Sequence, residues 1–369
     1  MTSKARGLAD LGNAYSDGAL SNRNMIINGG MQVAQRGTVT GLNSGTPVYG
    51  GADRFNASNS TGGTPAVFSL SQDASAPSGF SRSQRIDCTT ATSSLTGTNE
   101  IKVNYTVEGY DLISAGLGTT EAKQLTLSFW VKSNQAAVFC LWAYRSYGTA
   151  RHTGQTYTVN AVDTWEYKSI TLSADVLNEV PNDSTRGITL SFVVNAGPDF
   201  KSGTALNGGW EQLVNADRYV GLTATIGESL SDYFQVTGVQ LEVGDTATPF
   251  EHRSYADELA RCQRYYWRLS SVSAETLGFQ GMTTSTTAAQ VTGSFIGTLR
   301  ATPSVTFSNM AISTYSGTMR NITSYELANS NAQSLRLFLG VATGIGSGTA
   351  IFLRGRVGLA AYVSFDAEL

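Results

Sequence analysis

His152 and His252 are the chain's two imidazoles, and an imidazole does acid/base or nucleophile-activating chemistry only when partners hold it in place. Both stand beside arginine, in ARHTG and EHRSY. No Gly-x-Ser-x-Gly elbow, His-Glu-x-x-His pair or Gly-Lys-Ser/Thr phosphate loop accompanies them. GIGSG, Gly344 to Gly348, has the wrong spacing for a dinucleotide fingerprint and reads as a turn between strands. Glycoside cleavage needs only two carboxylates roughly 5 to 9.5 Å apart. Glu108 with Asp111, and Asp163 with Glu166, can be nominated, against the plainer reading of solvated surface acids. Cys88, Cys140 and Cys262 are odd in number and lack Cys-x-x-Cys spacing, so small buried thiols fit better than disulfides or zinc. No Asp-x-Asp-x-Asp-Gly calcium loop is present. The expectation is no catalytic residue, no metal and no cofactor.

Recognition chemistry leaves a clearer trace. Sugars present flat apolar C–H faces, which exposed Trp and Tyr rings bind with polar neighbours alongside. Leu125, Leu127, Phe129 and Val131 alternate with Thr126, Ser128, Trp130 and Lys132, which puts Trp130 opposite the core ladder. Trp142, Tyr144, Arg145 and Tyr147 follow on what reads as a neighbouring strand. If these strands pair, the rings line one sheet surface, and Trp130, Trp142, Tyr144, Arg145 and Tyr147 become the candidate carbohydrate-binding set. The competing reading makes Trp142 and Tyr144 core. Trp165 reads as core, and Trp210, in GGWEQ, fits either role.

The elements that must position these rings are strands. The 369 residues include 43 Thr, 40 Ser and 39 Gly, with 14% charged and 41% apolar, a composition of strands and turns with enough apolar material for a sizeable core. Runs at 167–172, 188–194, 219–226 and 233–243 join the two above in an expected two-sheet sandwich or jelly roll over 23–250. The net charge of −3 comes without a basic block, which argues against nucleic acid. No apolar run approaches the ~20 residues of a membrane span, and the N-terminus lacks a signal-peptide core, so no membrane insertion is expected.

Residues 1–22 read as a short anchor segment, with Ala5, Leu8 and Leu11 three apart and Gly12 placed to stop a helix. One strong helix is expected from Ser254 to Arg268, capped by Ser254 with Asp257. Tyr255, Leu259, Cys262 and Tyr266 form its stripe, fitting either a helix packed on its own sandwich or an oligomer core. Residues 251–268 thus form a connecting helix and 269–369 a smaller β domain with five Arg and four acids. So few charges fit hidden surface in an oligomer. Val357, Leu359, Ala361, Val363, Phe365, Ala367 and Leu369 predict a last strand that runs to the final residue.

Several stretches carry a family resemblance. NRNMIINGGMQVAQRG (Asn22 to Gly37), LTLSFWVKS, DTWEYKSITL and above all FQVTGVQLEVGDTATPFEHRSYADELARCQRYYWR (Phe234 to Arg268) resemble bacteriophage tail-fibre and receptor-binding proteins. TLRATPSVTF and AYVSFDAEL resemble the C-terminal domain of that group, and SKARGLADLG its virion-attachment end. The resemblance implies a homotrimer with a jelly roll like those of carbohydrate-binding modules. It implies docking on a tail or portal-proximal virion protein through residues 1–22, and adhesion to a host-surface glycan. It supplies no sugar-binding motif residue by residue. A structural virion protein without receptor binding is the second expectation, and a polysaccharide depolymerase the third.

Overall fold

A computed structural model describes residues 22–60, 66–271, 275–327, 330–342 and 344–369. The anchor residues Ala5, Leu8 and Leu11 lie outside them. The chain divides into two compact units between Glu258 and Leu259, and the fold is all-β.

The first unit contains β1 (Val39–Leu42), β2 (Val48–Tyr49), β3 (Phe55–Ser60), β4 (Val67–Asp73), β5 (Ser83–Thr90), β6 (Glu100–Glu108), β7 (Leu125–Ser133), β8 (Val138–Arg145), β9 (Arg151–Thr158), β10 (Glu166–Leu172), β11 (Arg186–Ala196), β12 (Glu211–Gln212) and β13 (Tyr233–Val243). Two antiparallel sheets, ordered β1-β4-β5-β13-β7-β10 and β12-β9-β8-β11-β6-β3-β2, pack as a jelly-roll sandwich. Alternation along each strand drives the layering: Leu125, Leu127, Phe129 and Val131 point inward and are buried. Aromatic rings join the layers. Phe129 of the first sheet meets Phe192 and Tyr157 of the second at 5.0 and 5.1 Å, edge to face, and Phe139 meets Phe234 at 5.5 Å. The 219–226 run, expected as a strand, is a turn-rich segment instead. Its buried Tyr219, Leu222, Ala224 and Ile226 pack as a cover rather than joining a ladder.

A polar clasp ties residues 22–28 to residues 251–258. The Glu251 carboxylate accepts from the amides of Asn22 (2.6 Å) and Asn24 (2.9 Å). Arg253 donates to the carbonyls of Ile26 and Asn24 and pairs with Glu251 and Glu258 at 3.1 and 3.2 Å. Glu258 in turn accepts from the Asn28 amide at 2.5 Å. Asn24 Nδ2 reaches the Val239 carbonyl at 3.2 Å, so both segments are fixed to β13.

Helix α1 (Tyr255–Gln263) starts as its capping pattern predicts: the Asp257 amide donates to Ser254 Oγ, whose hydroxyl donates to Asp257 Oδ2 at 2.6 Å. It ends five residues before Arg268. Tyr266, expected on the helix stripe with Tyr255, Leu259 and Cys262, lies instead on β14 (Tyr266–Ser271). The ladder of β14 with the last strand explains the difference, since it lays Trp267 against Phe365 with centroids 5.5 Å apart. On the helix itself Tyr255 is exposed, Leu259 half-buried and Cys262 buried.

The second unit continues with β15 (Thr276–Thr283), β16 (Ala288–Ser294), β17 (Ser304–Ser308), β18 (Met310–Thr314), β19 (Met319–Leu327), β20 (Ser334–Val341), β21 (Ala350–Gly355) and β22 (Ala361–Asp366). β15-β16-β20-β19-β18-β21 close a barrel, and β14-β22-β17 form a small sheet. Leu335, Leu337, Leu339, Val291, Ile351 and Leu353 fill its core. The last strand is shorter than its period-two pattern predicts. Gly358 takes φ +72° in a turn before Ala361, which leaves Val357 and Leu359 exposed.

Candidate functional site

β7 pairs with β10 and β13, whereas β8 pairs with β9 and β11. The chain therefore crosses from one sheet to the other between Ser133 and Val138. With Phe129 and Phe139 both turned inward, Trp130 and Trp142 leave the sandwich on opposite outer faces. The five candidates do not form one surface: Trp130 lies on the first face, and Trp142 and Tyr144 on the second.

On the first face, the register sets Tyr167 directly opposite Trp130, and their rings lie 5.5 Å apart with a 60° tilt. Tyr167 is 47% exposed. The two rings form one side of a groove of about 380 Å³, with Ser128 on its floor, Gly238 beside Trp130, and Thr248 and Phe250 on the far wall. That wall is pinned. Glu242 accepts from the Thr248 amide (2.8 Å) and hydroxyl (2.6 Å), and Gln240 donates to the Thr248 carbonyl and accepts from the Glu251 amide. Phe80 and His252 each meet the Phe250 ring edge to face at 4.9 Å and lie 5.4 Å from each other. Gly238 has φ +61° at a β-bulge, and a Cβ there would meet the Phe80 ring at 2.7 Å and Trp130 at 3.1 Å. Farther along the face Lys132 donates to Ser75 Oγ at 2.8 Å and lies over Trp165, which is half-buried here rather than core.

The second face is more closed. Trp142 is 5% exposed and stacks on Tyr144 at 5.1 Å, under the Arg218 guanidinium (5.0 Å) and Lys102 ammonium (5.2 Å), with Tyr219 at its edge. Its indole N–H donates to Nδ1 of the buried His152, whose Nε2 faces Glu211 at 3.2 Å. Burial first, then the positive charge of Arg218, depresses His152 to about 4. Arg145 is 1% exposed and points to the end of the core. It binds Asp175 and the carbonyls of Leu177 and Asn178, and Arg151 takes the other side of Asp175 at 2.8 Å. That guanidinium is committed to the fold, whereas Tyr147 is 51% exposed beyond the strand end. The Trp210 indole N–H donates to the Ser173 carbonyl at 2.9 Å.

The nominated carboxylates are engaged elsewhere. Burial pushes Glu166 up, but hydrogen bonds from Lys168, Asn160 and Ala161 outweigh it and hold the group down at about 2. Asp163 accepts from the Tyr233 hydroxyl, and Glu108 is buried. Among the described residues, no three His, Cys, Asp or Glu side chains gather as a metal site. Burial raises the Cys88 and Cys140 thiols to about 11 and 12.

Sequence alternation alone could have found Tyr167. Ile170 and Leu172 face inward on β10, so parity turns Tyr167 outward. Phe80, Phe250 and His252 sit in irregular segments, where no period marks them.

Fold and site together define an all-β sandwich with an aromatic groove on one outer face. No family model and no curated protein matches the chain. Among solved structures, the enzymatically active domain of a bacteriophage CBA120 tailspike protein is 10% identical over 61% of this chain, with a TM-score of 0.32. The match spans 22% of that tailspike chain. The family 11 carbohydrate-binding module of a Clostridium thermocellum cellulosomal cellulase is 13% identical over 57% of this chain and 98% of its own, with a TM-score of 0.28. At these scores neither likeness bears on the site.

Proposed function

We propose that the protein is a non-catalytic glycan-binding adhesin, the receptor-binding or tail-fibre protein of a phage virion. The observation that carries the glycan part is the Trp130–Tyr167 pair: two accessible rings 5.5 Å apart in a groove whose far wall is held by Gln240 and Glu242. Such rings cover the C–H face of a sugar while hydroxyls at the groove edge fix its orientation. The virion part is supported by the tail-fibre resemblance of the stretches from Asn22 to Gly37 and Phe234 to Arg268. In this reading residues 1–22 attach the chain to the tail or a portal-proximal protein, and three copies turn weak single sites into avidity.

Adsorption competition tests the reading as a whole. Purified full-length protein is expected to block attachment of the parent phage to host cells, and Trp130→Ala and Tyr167→Ala to block less well. A folded trimer that leaves adsorption unchanged would mean a structural virion component instead.

A further inference from the structure

Resting on that reading, we infer that the Trp130–Tyr167 groove takes a neutral pyranose unit rather than an acidic sugar. The polar atoms left for a ligand are uncharged: the Ser128 and Tyr167 hydroxyls and the Trp130 indole N–H have no protein partner among the described residues. No residue lining the groove is charged, and the charged groups tied to its walls are engaged. Glu242 is held by Thr248 and Gln240. Arg23 donates to the Pro249 carbonyl at 2.6 Å and lies 3.9 Å from Glu242, while Glu166 and Lys168 pair with each other at 2.7 Å. Glu251 and Arg253 belong to the clasp. A sugar carboxylate entering this groove would lose water without meeting a cation among the lining residues, a large cost for a charged group. A neutral ring loses little, because its C–H face covers the indole and its hydroxyls meet the three free polar atoms. The 60° tilt makes the aromatic pair a notch rather than a flat platform, which suits one sugar ring of a soluble or branched glycan. Lys132, two residues along β7, is turned toward Ser75 and Trp165.

The test is equilibrium binding of full-length protein to neutral polysaccharides (dextran, galactomannan, xyloglucan) and acidic ones (polygalacturonate, hyaluronate), read by tryptophan fluorescence and affinity electrophoresis. A neutral glycan is expected to bind about equally at ~0.05 and ~0.5 M NaCl. Trp130→Ala and the more exposed Tyr167→Ala should each weaken it about tenfold, and Lys132→Gln should leave it unchanged. Selective, salt-sensitive binding of an acidic glycan that Trp130→Ala abolishes would overturn the neutral assignment and keep the groove as the site. Binding unaffected by folded Trp130→Ala and Tyr167→Ala, or no binding across the panel, would overturn the groove itself and the neutral assignment with it. Circular dichroism of each variant confirms folding.

Discussion

The Trp142 indole donates its N–H to Nδ1 of His152 across 3.1 Å, and on the far side of the ring Nε2 accepts from the Val214 amide at 3.2 Å and faces Glu211 at the same distance. The His152 ring is 0% exposed and its folded pKa, about 4, lies below the unfolded value near 6.5. A depressed imidazole contributes its stability fully above pH ~6.5 and loses it as pH falls toward 4. Glu211 works the other way: burial first, then Asp217, raises its carboxyl, so it takes up a proton more readily folded than unfolded. The net expectation is a loss of about 1–3 kcal/mol between pH 7 and 4.5, measured by urea denaturation. His152→Asn should shrink that difference, and an equal acid loss in the variant would assign it to other groups.

Trp142→Ala should cost about 3–5 kcal/mol of stability, since it empties a closed site beneath Arg218 and Lys102. Trp130→Ala should cost less stability and more glycan affinity. A matched melting and binding series on the two variants checks the contrast.

Gly238→Ala offers a subtler probe of the groove. The new methyl meets Phe80 and Trp130 at a positive-φ position, so the bulge strains and the indole shifts. Weakened glycan binding with a folded circular-dichroism spectrum is the expected result.

Removing Arg145 leaves Asp175 buried with only Arg151 for charge compensation. Arg145→Met should destabilise by about 3–5 kcal/mol. The denaturation midpoint should fall without a change of slope, because the surface exposed on unfolding is the same.

Glu251→Ala should cost about 1–3 kcal/mol, because the Asn22 and Asn24 amides lose their acceptor and Arg253 loses one carboxylate. Faster hydrogen exchange at those two amides, with slow exchange retained in β7, would locate the effect.

Strand periodicity was legible wherever one face of a strand is core. It placed Trp130 outward on β7 and bounded β13 at Tyr233 and Val243. Which sheet each strand joins is a long-range choice, so the separation of Trp130 from Trp142 could not be read from parity alone. The burial of Trp142 is likewise set by Lys102, Arg218 and Tyr219, all distant in sequence. Local conformation misled in three places: the 219–226 run turns instead of extending, the 3.6-residue stripe through Tyr266 yields to the β14–β22 ladder, and Gly358 turns the chain where alternation runs on.

The clasp sets the route of mechanical load through the first unit. Asn22 and Glu251 touch at 2.6 Å, so a pull applied between residue 22 and residue 258 meets the clasp before it meets any sheet. Tension would run through Glu251, Arg253 and Glu258 and pass, through Asn24 and the Glu251 amide, into β13, which borders the groove. A pull on the carrier would therefore reach the Trp130–Tyr167 groove through the strand that forms its edge.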